Sequence, residues 1–227
     1  MDYKEIERIF YRDGYRLAHQ YLEEEVSAQN LTAGIRQLYD SVDELLDSFL
    51  QRSAMEGRPA ECKKGCSWCC HQVVYGVTHE FLYLRDHIEK HFKEETRNKF
   101  LEKARESVLL TLQKSHQERL QVKVPCPFLD SGSCSVHAVR PMACRIYLSS
   151  SENACKKEHD ETVTGNDFPD LFEFPLRAGR MLNQGFVAYL KQIGFQVSEA
   201  PLDQGYSSLV TLGQTMEGWI EGRSFSS

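Results

Sequence analysis

No stretch of this chain approaches the roughly 20 apolar residues that a helix needs to cross a bilayer. Its start, Met1-Asp-Tyr-Lys-Glu-Ile-Glu-Arg, is charged where a secretory signal would be apolar. The expected compartment is the cytosol, with no membrane partner. Basic charge is also in short supply: 27 Lys and Arg stand against 33 Asp and Glu, a net charge of -6. A broad face that displaces counterions from phosphate is thereby excluded, and no nucleic-acid partner is expected. There is no His-Glu-x-x-His, no P-loop and no Gly-x-Gly-x-x-Gly, which removes the metalloprotease, nucleotide-phosphate and dinucleotide readings. His79-Glu80 is not the His-x-Glu of zinc deaminases, whose Pro-Cys-x-x-Cys partner is missing too, because seven residues separate Cys126 from Cys134. Cysteine itself is absent before residue 62 and after residue 155.

Between those limits lie all eight cysteines, in two bursts: Cys62, Cys66, Cys69 and Cys70, then Cys126, Cys134, Cys144 and Cys155. Thiolate is the soft ligand that zinc and iron-sulfur clusters prefer, and two short-spaced groups separated by an insertion can bring four sulfurs to one centre. In a reducing compartment, clustered thiols serve as ligands rather than disulfides. The eight cysteines are therefore the expected metal ligands, with zinc or iron, including a [4Fe-4S] cluster, as the expected cofactor. Adjacent Cys69 and Cys70 diverge and seldom chelate one ion, so one of them serves a different centre or a different task. Eight thiols allow two four-thiolate sites, or one site plus free thiols.

Cations flank the ligands: Lys63, Lys64, Arg140, Arg145, Lys156 and Lys157. A divalent ion with four thiolates carries a net negative charge that neighbouring cations stabilise. Arg140 and Arg145 are the candidates for that supporting role, Arg145 above all because it follows Cys144. His71 and His137 lie close enough in sequence to complete a site through an imidazole nitrogen, though eight thiols make them unnecessary. His19, His79, His87, His91, His116 and His159 read as surface or capping residues, and Trp68 as packing over the centre.

A composition that is 41 % hydrophobic and 11 % aromatic over 227 residues supports a packed core. Tyr3, Ile6, Phe10, Leu17 and Tyr21 recur at helical spacing, as do Ile35, Leu38, Val42, Leu45 and Phe49, with Asn30 as the cap between the two helices. Glu56-Gly-Arg-Pro-Ala60 breaks the pattern and places Cys62 to Cys66 in a loop. Val73 to Val77 is β-prone, and Thr78 is the cap of a helix carrying Phe81, Leu84, Ile88 and Phe92. Leu101, Ala104, Val108 and Leu112 mark a further helix ending near Leu120. The 121–160 region has little periodicity. Ala178, Leu182, Phe186 and Leu190, then Leu209, Leu212, Met216 and Trp219, predict two helices separated by a stop at Gly194. The expected fold is mostly α, with helices packed around a loop-rich cysteine cluster stapled by metal. It divides into an N-terminal helical segment (1–56), a cysteine-cluster domain with two inserted helices (57–160) and a C-terminal helical segment packed on it (161–227), as one compact unit.

The string Cys62-x3-Cys66-x2-Cys69-Cys70, then Cys126-Pro-Phe-Leu129, then Cys134-Ser-Val-His-Ala-Val-Arg140-Pro141-Met-Ala-Cys144-Arg145-Ile-Tyr147, resembles the YkgJ-like cysteine-cluster family. Cys155 fits its trailing cysteine, and His137 departs from it where tyrosine is common. The resemblance implies zinc or iron chelation and no defined reaction. The same pattern is similar to that of flagellin lysine N-methylases, which implies S-adenosylmethionine-dependent protein methylation as an alternative, beside a redox enzyme or a redox or metal sensor. Cys62-x3-Cys66-x-Trp68-Cys69 also resembles the signature of radical S-adenosylmethionine enzymes. Those enzymes set the motif in a β/α barrel, and helices before and after it here do not predict one.

Overall fold

The computed structural model describes residues 3–160 and 169–222. Residues 1–2 of the expected N-terminal segment, and 161–168 and 223–227 of the C-terminal one, lie outside the described residues. The chain is mostly α, with two small two-stranded sheets among the described residues. No described helix is long and apolar enough to cross a membrane.

Helices α1 (Tyr3–Leu22), α2 (Ala28–Met55) and α8 (Glu173–Gln192) pack together. The buried stripe of α2, including Leu31, Ile35, Leu38, Tyr39, Val42 and Leu46, follows the expected periodicity. That of α1 does not: its buried residues are Gly14, Ala18 and Leu22, with the larger Phe10, Leu17 and Tyr21 flanking them. The reason is a close helix crossing. A Cβ on Gly14 would stand 1.9 Å from the Leu182 carbonyl oxygen of α8, and one on Gly185 of α8 would stand 1.9 Å from that of Tyr11. Only glycine lets the two backbones meet there.

Ser27, not Asn30, caps α2. Its hydroxyl accepts the Asn30 backbone N–H at 3.2 Å, and Asn30 sits inside the first turn. Strand β1 (Tyr75–Val77) confirms the β-prone run and pairs antiparallel with β4 (Glu199–Pro201). Helix α3 (Thr78–His91) begins one residue earlier than a Thr78 cap requires. Val77 is the cap, its N–H held by Glu80 Oε2 at 3.0 Å, while the Thr78 hydroxyl turns to Ser198. The helix expected to end near Leu120 is two: α4 (Glu94–Thr111) and α5 (His116–Gln121), the latter restarted by a Ser115–Glu118 capping box. The last expected helix is also two, α9 (Leu202–Thr211) and α10 (Met216–Ile220), because Gly213 takes φ +63° between them.

The 121–160 region holds more structure than its weak periodicity predicts. Strands β2 (Leu129–Asp130) and β3 (Ser133–Cys134) form a hairpin whose tip, Ser131-Gly132, has φ of 49° and 76°, the two left-handed positions of the tight turn that matches strand twist. Helices α6 (Met142–Ile146) and α7 (Glu152–Asp160) follow. An edge-on series of rings, Phe92, Phe100, Phe128 and Tyr206, ties this region to α4 and α9 with centroids 5.0–5.3 Å apart.

Candidate metal centre

Cys62 and Cys66 lie in the loop after α2, Cys69 and Cys70 in the 3-10 turn Trp68–His71, Cys126 before β2, Cys134 on β3, Cys144 on α6 and Cys155 on α7. All eight are free thiols. The two bursts are joined through the backbone, the Cys126 N–H donating to the Cys70 carbonyl at 2.7 Å. The Cys62 loop is fastened to the start of α7. Ser149 N–H donates to Cys62 Sγ at 3.3 Å, Glu61 N–H donates to the Ser149 carbonyl at 3.1 Å, and Lys63 pairs with Glu152 at 2.7 Å.

Several cysteines share one local construction. Cys66, Cys126 and Cys134 each accept a backbone N–H hydrogen bond from two residues ahead, at Trp68, Phe128 and Val136. Phe128 and Val136 are buried in the core, so the residue that donates to the sulfur also anchors its loop. Amide donors to sulfur favour the thiolate and are a means by which proteins support metal-bound thiolates. Burial works the other way. It pushes Cys62, Cys66, Cys134, Cys144 and Cys155 up, and Cys126 up to about 12, while the hydrogen bond to Cys70, followed by burial, pushes Cys69 up. Metal uptake at such thiols releases protons.

Mutual electrostatic influence among the thiols divides them. Cys155 feels Cys62, Cys69 and Cys66, and Cys66 feels Cys62 and Cys69. Cys144 feels Cys126, Cys69 and Cys134, and Cys126 feels Cys134 and Cys69. Cys69, hydrogen-bonded to Cys70, belongs to both neighbourhoods. Among the described residues no three Cys, His, Asp or Glu side chains stand in a ligating group. The donor set fits a thiophilic ion by its chemistry and its amide support.

Arg140 faces the thiols: its charge favours the thiolates of Cys69, Cys134 and Cys144, and its guanidinium donates to the His137 ring at 2.7 Å. Arg145 is 2 % exposed and pairs with Asp43 at 2.5 Å. It also donates to the Arg140 and Ala138 carbonyls and lies 4.1 Å over the Tyr39 ring. Its guanidinium thus ties the cysteine-bearing segment to α2. Sequence reasoning missed Glu80, 2 % exposed, whose carboxylate accepts from the Met142 N–H at 2.7 Å, the Tyr39 hydroxyl at 3.2 Å and the Val77 N–H. It closes the start of α6, two residues before Cys144. A mid-pattern acid beside Phe81 was the available signal. His79, expected at the surface, is fully buried, with both ring nitrogens lacking a hydrogen bond and its ring 5.3 Å from Phe186. It lies on the face of α3 turned toward α8, where the helical pattern overrides its polarity.

A cleft of about 40 Å³ opens beside Cys126, bounded by Ser107, Thr111, Arg119 and Asp203. The Ser107 hydroxyl donates to Asp203 at 2.5 Å.

Residues 61–165 match the model of a family with a CxxCxxCC signature, described as a "Putative zinc- or iron-chelating domain". No curated protein and no solved structure matches the chain.

Proposed function

Since residues 61–165 match the model of a zinc- or iron-chelating domain, we propose that this protein holds its metal through two thiol groups: Cys62, Cys66 and Cys155 in one, Cys126, Cys134 and Cys144 in the other. Cys69 and Cys70 complete them, one to each. The observation that supports the reading is the pair of contacts that folds the bursts together: Ser149 N–H on Cys62 Sγ, just before the helix of Cys155, and Cys126 N–H on the Cys70 carbonyl. The Cys69 and Cys70 thiols, hydrogen-bonded to each other, stand where the two groups meet. Bound there, zinc supplies closed tetrahedral cross-links and iron supplies redox capacity as well. Arg140 offsets the negative charge of the second group.

An S-adenosylmethionine-dependent enzyme would need room beside the metal for a nucleoside cofactor, and ligand pockets of that kind are typically about 300 Å³ or larger. The cleft at Cys126 is smaller, about 40 Å³. Metal and acid-labile sulfide analysis on protein purified without oxygen tests the function. Stoichiometric zinc, or iron with or without sulfide, is the expected result, and its sulfide content decides for or against a [4Fe-4S] cluster. Metal-free protein that binds neither ion on addition would overturn the reading.

A further inference from the structure

On the outer side of the cysteine loops, the 3-10 turn at Trp68–His71 packs against α7. The His159 ring lies 5.3 Å from Trp68 and 4.7 Å from His71, the two imidazoles meeting edge-on at 77°. Each imidazole already has one nitrogen committed. His71 Nδ1 lies 3.1 Å from the Ser67 carbonyl, which can only accept, so Nδ1 carries the proton. His159 Nδ1 lies 2.9 Å from Asp160 Oδ1, a carboxylate that imposes the same tautomer. The other oxygen of Asp160 is held by Lys156, which also stands over the Trp68 ring. Each ring is left with an Nε2 that makes no hydrogen bond among the described residues.

Metal-binding histidines are prepared in this way, with the second ring N–H given to a carbonyl or carboxylate so that tautomer and orientation are fixed. A tetrahedral ion about 2.0–2.1 Å from each of two imidazole nitrogens sets the rings roughly 5 Å apart, centre to centre. The two rings here stand close to that separation. Both are partly exposed and so within reach of an ion from solvent. We propose that His71 and His159 form a second, open metal site that takes one borderline divalent cation such as zinc, with water in the remaining positions. Two protein ligands make it weaker than the thiol groups. Its place is at their mouth: His71 follows Cys70 directly, and His159 lies one helical turn beyond Cys155. The site itself needs no thiol and does not rest on the division of the cysteines.

The test uses the whole protein, with its thiols first saturated with metal under anaerobic reducing conditions and freed of excess. Zinc is then titrated by calorimetry, with long-range proton–nitrogen spectra of the imidazoles recorded in parallel. One further and weaker equivalent is expected, with Nε2 shifts at His71 and His159. The double variant His71→Gln, His159→Gln abolishes it, and Asp160→Asn weakens it by roughly 10-fold or more. His87→Gln, in the other adjacent pair on α3, leaves it unchanged. The proposal is overturned if wild type takes no further zinc, if the weaker equivalent survives in the double variant, or if His87 and His91 shift instead. Should the thiols hold no metal, the first equivalent is missing and the reading of the cysteines fails, while the imidazole shifts still decide this site.

Discussion

The helical frame and the cysteine loops of this protein are held by different forces. In the frame, Leu31, Ile35, Leu38, Val42, Phe81, Leu84, Phe186 and Leu190 are essentially removed from water, and the contact between α1 and α8 is close enough to require glycine on both sides. Dense apolar burial of this kind is the main source of folding energy. The loops that carry the thiols have short elements, whose Phe128, Val136, Val139, Met142 and Ile146 reach into the core. Around the first cysteines the fastening is by single backbone hydrogen bonds and by partly exposed ion pairs such as Arg58–Asp170 and Lys63–Glu152, each of which contributes little. The frame positions the loops chiefly through Glu80, Arg145 and Phe128.

The sharpest way to break the frame is Gly185→Leu. Its side chain would enter the Tyr11 carbonyl, and the crossing cannot open without losing the core beneath it. A loss of more than about 4 kcal/mol is expected, read as collapse of the urea unfolding midpoint.

Acid acts on the frame through His79, which burial lowers from its ordinary 6.5 to about 3. Below about pH 6.5 the unfolded chain takes a proton that the folded chain refuses, so this contribution to stability is full above pH 6.5 and falls with pH down to about 3. At pH 4.5 the loss is roughly 2–3 kcal/mol relative to pH 7. His79→Phe should flatten the difference in unfolding free energy between those two pH values by that amount, and an unchanged slope would show that His79 is not the titrating group.

The joint between the regions is Glu80. Glu80→Gln keeps an oxygen for Met142 and Tyr39, which share one carboxylate oxygen, and turns an NH2 against the Val77 N–H, a cost of about 1–3 kcal/mol. A drop in unfolding temperature should come with weaker metal binding, since α6 carries Cys144. Equal metal affinity in variant and wild type would uncouple the joint from the centre. At the other extreme, Lys99→Met removes an exposed pair with Glu95 on α4 and should move the unfolding temperature by nothing measurable.

The frame was the legible part. The periodicity of α2, α3 and α8 comes from large apolar residues that repeat every turn, and the stop at Gly194 is where α8 ends, with φ +93°. The stripe of α1 was misjudged because the residues that touch α8 most closely are small, and small residues carry no hydropathy signal. The cap at Asn30 was misplaced because the Ser27 hydroxyl accepts the Asn30 N–H from three residues upstream, and that at Thr78 because its hydroxyl turns to Ser198 while Glu80 holds the Val77 N–H. The cysteines and their family pattern were visible in the sequence. Their grouping was not, because it depends on how the Cys126–Cys70 backbone bond and the Ser149–Cys62 contact fold the two bursts onto each other. Glu80 and the His71–His159 pair were hidden for a similar reason: each acts across elements far apart in sequence.

The most direct test of the central claim is metal content per chain in Cys155→Ser and in Cys144→Ser, prepared anaerobically beside wild type. The account predicts that each variant keeps about half of the wild-type metal and that the double variant keeps none. Loss of all metal from either single variant, or of none from both, would contradict two thiol groups meeting at Cys69 and Cys70.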